Sequence, residues 1–475
     1  MVVTRVHHGH SAAAVGQPKL WHACAFRLAT EPRMTSTPRP PVPAAILHGE
    51  AALVRAVGGV SLAAAIINII VGSGIFLLPA LLFTRMGSSA PLAFLAGALA
   101  IVPIALCFAA IGSRAATTGG PYTYVGAAFG PFAGFIAGAL MWICNAASSG
   151  AVASALFLQV ARAWPQLEQP LWRTLFMVAL YAALITLNAF GVRLGTRAIN
   201  ILATLKLTPL FLLALIGLPF VDWSQISWLE IPSWPTLGAS MVLVMFAYSG
   251  METALIPSGE LRDAAHSVPR ATLAAILVVV LLYMGIQIVT QGILGPLLAT
   301  SKAPLADAAG SMWSPGLVIL LITAGVSMGG FMMGNLLASS RLLYALGRDG
   351  YLPAAFGRVS ASHRVPLLAI LSHGLVGFGL AVVGNFEALA LVSGGANCLI
   401  YLAVSLATGV AQKRDVRSAG KPFVLPGGAL VPAISSLAMI AILATLSRAE
   451  WLAIGMALLI LVFVHAVLVR GRRPA

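Results

Sequence analysis

Ile70-Val71-Gly72-Ser73-Gly74-Ile75-Phe76 interrupts an apolar stretch running from Val60 to Phe83. About 20 apolar residues cross the hydrocarbon core of a bilayer, and this stretch has that length. Its centre holds two glycines around a serine, residues poorly suited to a helix interior. A spanning helix breaks at mid-membrane only where the freed backbone faces protein, water or a ligand. The half-helix toward Pro79 would begin near Gly74, with free amides pointing into the gap. Such an N-terminus attracts a carboxylate, through hydrogen bonds and through the helix dipole. The same small residues also suit close packing of a second helix, as in Gly-xxx-Gly pairs. This stretch alone leaves both readings open.

Composition fixes the class. The 475-residue chain is 59% hydrophobic and 9% charged; a soluble protein carries about 25% charged residues. The chain therefore reads as a polytopic membrane protein. Of Cys24, Cys107, Cys144 and Cys398, three fall in apolar spans and one near the N-terminus. Their spacing supports neither a disulfide framework nor a zinc site. Residues 1–45 are rich in Pro, His, Arg and Ala, with no apolar core behind the basic residues, so they do not read as a signal peptide. They read as a disordered cytoplasmic tail, and Met34 is a second candidate start. His7, His8 and His10 carry metal-ligating side chains, but such a tail offers no scaffold. No metal or cofactor is expected.

Hydropathy gives twelve spans, at about 60–84, 90–113, 131–160, 172–191, 197–220, 237–258, 270–293, 315–346, 366–384, 388–410, 428–447 and 451–469. They form an all-α membrane domain over 46–470, followed by a short cytoplasmic tail, 471–475. Of the 28 Lys and Arg, 22 fall on the side shared by the two termini. Arg85, Arg162, Arg173, Lys302 and Arg448 fall on the other side, and Lys206 lies inside a span. Positive charge favours the cytoplasm, so both termini are expected inside the cell. The net charge of +15 is thus a matter of topology and requires no nucleic acid.

The sixth span repeats the oddity of the first. Val244-Met245-Phe246-Ala247-Tyr248-Ser249-Gly250-Met251-Glu252 places Ser-Gly in mid-span, with a carboxylate two residues on. Breaks in spans one and six divide the first ten spans into two fives of opposite orientation. Paired interruptions at corresponding places point to an inverted-repeat transporter with a midplane site. No residue-level repeat is visible between the halves.

These stretches resemble the amino acid–polyamine–organocation permeases, of the bacterial amino acid permease type. Gly72-Ser73-Gly74-Ile75-Phe76 with Pro79 is similar to that family's helix-1 signature. Gly119-Gly120-Pro121-Tyr122-Thr123-Tyr124 with Phe129-Gly130-Pro131 resembles the entry to its helix 3. Phe246 to Glu252, with Gly259-Glu260 and Pro269-Arg270-Ala271, resembles helix 6 and the loop beyond. Ser340-Arg341 and Arg348-Asp349-Gly350-Tyr351-Leu352-Pro353 resemble the end of helix 8. The resemblance implies a 5+5 inverted repeat with broken helices 1 and 6, two extra C-terminal helices, and alternating access. It implies an amino acid carboxylate on the amides of Ser73 and Gly74, within a site of Ile70, Gly72, Phe246, Ala247, Ser249 and Gly250. The ammonium would meet carbonyls near Ile70 and around Phe246 and Ser249. Phe246 matches the aromatic gate. The stretch from Arg341 to Pro353 would be structural.

Glu252 is the only carboxylate well inside a span, which by default suggests gating or proton coupling. A protonated glutamate bonded between helices is the plainer alternative. Glu260 stands at a span end and reads as solvated. Lys206 lies nine residues into span five, about 13 Å deep at 1.5 Å per residue, which makes snorkelling awkward. With Asn200, it is similar to the family pattern in which a helix-5 lysine stands where sodium-coupled relatives hold their ion. His373 and His465 read as core histidines. Trp142, Asn145, Ser327 and Asn335 lie on spans three and eight, which line the pocket in the resembled fold. The loop between spans three and four has no cysteine. Family members bonded to a single-span partner carry one there, so no disulfide-linked partner is expected.

The expected function is secondary amino acid transport at the plasma membrane, sodium-independent, by proton symport or exchange. A neutral side chain is favoured, because no second acid lines the spans. The alternatives are a polyamine or cationic amino acid antiporter, a structural or receptor protein, and a membrane-embedded hydrolase using Ser249 and His373. No triad-like spacing supports the last. A side chain at position 74 is expected to crowd the substrate carboxylate.

Overall fold

The computed structural model describes residues 58–72, 74–114, 119–190, 196–255, 263–360, 363–416 and 421–470. At 196–203, 264 and 468–470 it describes the backbone alone. The expectations for residues 1–45, Ser73, Glu260 and 471–475, and for the side chain of Asn200, lie outside what is described.

Among the described residues the fold is all-helical. The helices are α1 (Gly59–Ile70), α2 (Gly74–Met86), α3 (Pro91–Arg114), α4 (Pro121–Phe129), α5 (Pro131–Ala163), α6 (Pro170–Ala189), α7 (Thr196–Ile216) and α8 (Trp234–Tyr248). They continue with α9 (Met251–Ala254), α10 (Ala264–Leu294), α11 (Pro304–Met312), α12 (Ser314–Arg348), α13 (Leu367–Val383), α14 (Phe386–Lys413), α15 (Leu430–Leu443) and α16 (Arg448–Arg470). Among the described residues, eight spans are long and apolar enough to cross a membrane, and the α1–α2 pair, bent by 46°, makes a ninth if it counts as one. Apolar helices at Thr204–Ile216, Leu367–Val383 and Leu430–Leu443 are shorter.

Local chemistry sets the boundaries. Prolines open α5 and α6, where a missing amide donor is harmless. The Asn385 side chain accepts from the Ala388 amide at 2.8 Å and caps α14. Asp263 caps α10, which starts at Ala264, six residues before the span at 270–293 expected from hydropathy. The cap lets the helix begin in a polar segment that hydropathy scores as loop, and Pro269 is accommodated inside it.

Burial ranks the helices. α5 and α14 are buried along most of their length, whereas α6 and α16 expose most of theirs. Leu171, Leu175, Leu452, Leu459 and Phe463 are among the apolar side chains left uncovered there, as expected of lipid-facing surface. α5 packs against α14, α12 and α13, and α10 packs against α1 and α3.

Cross-links define two ends of the bundle. At one, Arg85 pairs with Glu387, Arg162 with Asp307, and Lys302 with Glu168. The Gln291 amide bonds the carbonyls of Ser88 and Gln225 there, at 2.9 and 2.7 Å. Trp164, Trp172, Trp223, Trp228, Trp234, Trp313 and Trp451 are exposed at helix termini or connections of this end. At the other end, Tyr122 donates to Asp349 at 2.9 Å and Tyr351 to the Pro131 carbonyl at 3.1 Å. Burial, then the Asp349 charge, pushes the Tyr122 phenol above its ordinary pKa. The Pro-Tyr-Thr-Tyr and Arg-Asp-Gly-Tyr motifs thus meet as a latch, away from the helix breaks.

Candidate functional site

Helix α1 ends at Ile70 because Val71 leaves helical backbone, at φ −72° and ψ 75°. Ending a helix orphans its last carbonyls, which then need outside donors. Three other helices supply them. From α7, Lys206 donates to the Asn68 carbonyl and, at 2.8 Å, to that of Val71. From α12, Ser327 donates to the Val71 carbonyl at 2.9 Å. From α10, Tyr283 donates to the Ile70 carbonyl at 3.0 Å. A cation at a helix C-terminus also meets the negative end of the dipole. Lys206 is 3% exposed, so its ammonium is committed to this position rather than drawn to the interface.

The second break lies at Ser249–Gly250. Ser249 is extended, at φ −70° and ψ 151°, and its hydroxyl donates to the Phe246 carbonyl at 2.7 Å. Gly250 has φ +132°, a region open to glycine. The Glu252 carboxyl folds back onto the Gly250 amide, at 2.9 and 3.0 Å. Tyr401 of α14 donates to the same carboxyl at 2.9 Å, and Asn397 donates to the Tyr401 oxygen at 3.1 Å. Glu252 is thereby held between a broken helix and the deeply buried α14. Glu252 thus makes an inter-helix hydrogen bond, the contact of the plainer alternative.

The two breaks touch. A β-carbon on Gly250 would stand 2.9 Å from Ile69 Cγ2 and 3.0 Å from the Ile70 backbone nitrogen. A β-carbon on Gly74 would stand 2.9 Å from both Cα and Cβ of Ala247. The closeness required at position 74 is therefore that of α2 to α8, in addition to any clearance for a ligand. Gly72 lies beside the Phe331 ring, 3.2 Å from where its β-carbon would be. Phe246 is buried and meets Phe386 edge-on, with ring centroids 5.9 Å apart.

The remaining candidates separate into groups. Ser327 joins the first break. Asn335, eight residues further along α12, bonds His373 Nε2 at 2.9 Å, and Trp142 packs edge-on to His373 at 6.4 Å. Asn145 is buried on α5. His373 is thus partnered to Asn335 and Ser249 to Phe246, so this pair does not form a nucleophile and base. Tyr283, Tyr401 and Asn397 escaped the sequence reading. The signal available for them was a hydroxyl or amide inside an apolar run.

The amino acid permease family profile matches residues 57–466. The chain is 27% identical over 374 residues to the large neutral amino acids transporter small subunit 2 of Mus musculus, covering 74% of this chain and 69% of that one. It is 24% identical over 433 residues to the branched-chain amino acid permease BcaP of Bacillus subtilis, covering 86% and 91%. A methylthioribose transporter of Bacillus subtilis is 24% identical over 416 residues, covering 81% and 87%.

Proposed function

The chain belongs to the amino acid permease family, a family of multi-pass membrane transporters and not of enzymes, and on that premise we propose that it carries a neutral amino acid by sodium-independent alternating access. The observation that carries this reading is the meeting of two helix breaks. The end of α1 lies against Gly250, and the start of α2 lies against Ala247. The substrate carboxylate takes the backbone amides of Ser73 and Gly74, beside the N-terminus of α2. Its ammonium takes carbonyls near Ile70, Phe246 and Ser249. Phe246 closes over the bound molecule, and its contact with Phe386 gives the lid a resting place.

Lys206 and Glu252 are the coupling groups. Lys206 holds carbonyls that a bound cation would otherwise neutralise, which is why sodium is dispensable. Glu252 ties the second break to α14 and carries a titratable proton. The twelve spans comprise the eight long helices, the α1–α2 pair and the three shorter apolar helices, arranged as five plus five plus two. Both termini face the cytoplasm across the cell membrane. One relative is by name a small subunit; with no cysteine in the 164–169 connection, this chain works without a disulfide-linked partner.

The test is uptake of a panel of labelled amino acids into proteoliposomes, with polyamines and methylthioribose as competitors. Saturable uptake of a neutral amino acid supports the reading. Uptake of a polyamine that amino acids do not inhibit would replace it with the amine alternative, because such a substrate has no carboxylate for the α2 amides.

A further inference from the structure

We propose that a cavity at the outer ends of α10, α11 and α12 binds the headgroup of a zwitterionic phospholipid. The cavity has a volume of about 600 Å³ and is lined by residues remote from both helix breaks. Leu294, Leu297 and Leu317 supply apolar lining, and Arg162, Lys302 and Asp307 supply charge of both signs.

The charges are paired but not enclosed. Arg162 Nε donates to Asp307 at 3.0 Å, and Lys302 Nζ donates to Glu168 at 2.7 and 2.9 Å. The Arg162 and Lys302 side chains are 43% and 49% exposed. A guanidinium has five donors and an ammonium three, so each cation keeps hydrogen-bond capacity for a phosphate. Asp307, which lines the cavity, can face the headgroup amine. Two cations beside a lining carboxylate, with Glu168 paired to Lys302 at the rim, suit a zwitterion better than a simple anion.

Size and depth favour a lipid over a free amino acid. Ligand cavities of about 300–1,000 Å³ suit molecules of drug size; a free amino acid would leave the leucine lining unfilled. Trp164 and Trp313, close in sequence to Arg162 and Ser314, are 61% and 60% exposed. Exposed tryptophans at span ends sit at headgroup level. Leu297, 72% exposed, offers apolar surface to the glycerol and first methylenes. α10 and α12 also carry Tyr283 and Ser327, so a lipid at their outer ends braces the helices that hold the first break.

The full-length protein is delipidated in detergent and titrated with dioleoylphosphatidylethanolamine, read by native mass spectrometry and by thermal midpoint. Wild type should bind one more tightly held lipid, and melt higher with it, than the Arg162→Gln/Lys302→Gln double variant. The affinity of that lipid should fall at least tenfold in the double variant. Ser314→Trp, at an exposed lining position, fills the cavity without touching the charge pairs and should give the same loss. Equal lipid binding by wild type and Ser314→Trp would overturn the proposal. Displacement of the lipid by glycerophosphoethanolamine or free leucine at equal concentration would assign the cavity to a soluble zwitterion instead. Tighter binding of dioleoylphosphatidylglycerol would refute the zwitterion preference.

Discussion

Gly250→Ala should damage stability and substrate affinity together. Gly250 sits at φ +132°, where an L side chain is strained, at about 1–3 kcal/mol. The added carbon would also lie 2.9 Å from Ile69 Cγ2, 3.0 Å from the Ile70 nitrogen and 3.2 Å from the Ile69 carbonyl carbon. The Ile69 side chain can rotate away; the α1 backbone cannot. Overpacking of this kind adds about 1–3 kcal/mol. The sum, about 2–6 kcal/mol, is a more than tenfold effect, and it falls where one break meets the other. The assays are the thermal midpoint in detergent and equilibrium binding of the best substrate from the uptake panel. The control is Gly379→Ala, in α13, where a β-carbon meets open space; it should be neutral or stabilising by about 0.4–1 kcal/mol. A Gly250→Ala protein as stable and as tight-binding as wild type would refute the contact between the breaks.

Gly74→Val should abolish binding while the protein still inserts, because its β-carbon would enter the Ala247 backbone; near-normal affinity would remove the α2 amides from the site. Phe246→Ala should weaken binding and raise leak in proteoliposomes, whereas Phe246→Tyr should keep most function; unchanged affinity and leak in the alanine variant would discard the lid. Glu252→Gln keeps the side-chain shape and removes the titratable proton, so transport should lose most of its pH dependence in a monodisperse protein. A wild-type pH profile in that variant would release Glu252 from the coupling role. Tyr401→Phe deletes the hydrogen bond to a buried carboxyl, an interaction of about 1.5–3 kcal/mol when charged, together with the one accepted from Asn397, and should lower the thermal midpoint; an unchanged midpoint would mean that α14 does not anchor the second break.

The breaks were legible in the sequence because glycine and serine in mid-span contradict a helix in lipid, and Glu252 and Lys206 because charge there is expensive. Which residues answer them was not legible. Tyr283 and Tyr401 lie 213 and 149 residues from their partners Ile70 and Glu252. Within an apolar run each reads as a core aromatic, and only the packing of α10 on α1 and of α14 on α8 turns the hydroxyl toward a break. Gly74 was recognised as requiring glycine, but its neighbour across the gap, Ala247, is an ordinary helix residue with no local mark. The early start of α10 was missed because an Asp263 cap, rather than hydropathy, sets it. Asn335 was grouped with Ser327 because both lie on span eight; eight residues of rise put it on His373 instead.

The proposal that Lys206 stands in for a bound cation at the end of α1 is tested by uptake into proteoliposomes with sodium replaced by choline. Wild type should transport equally well in either salt. With an imposed proton gradient, Lys206→Ala should lose gradient-driven uptake while retaining exchange if the lysine carries the coupled proton. A strict sodium requirement in wild type would contradict the account.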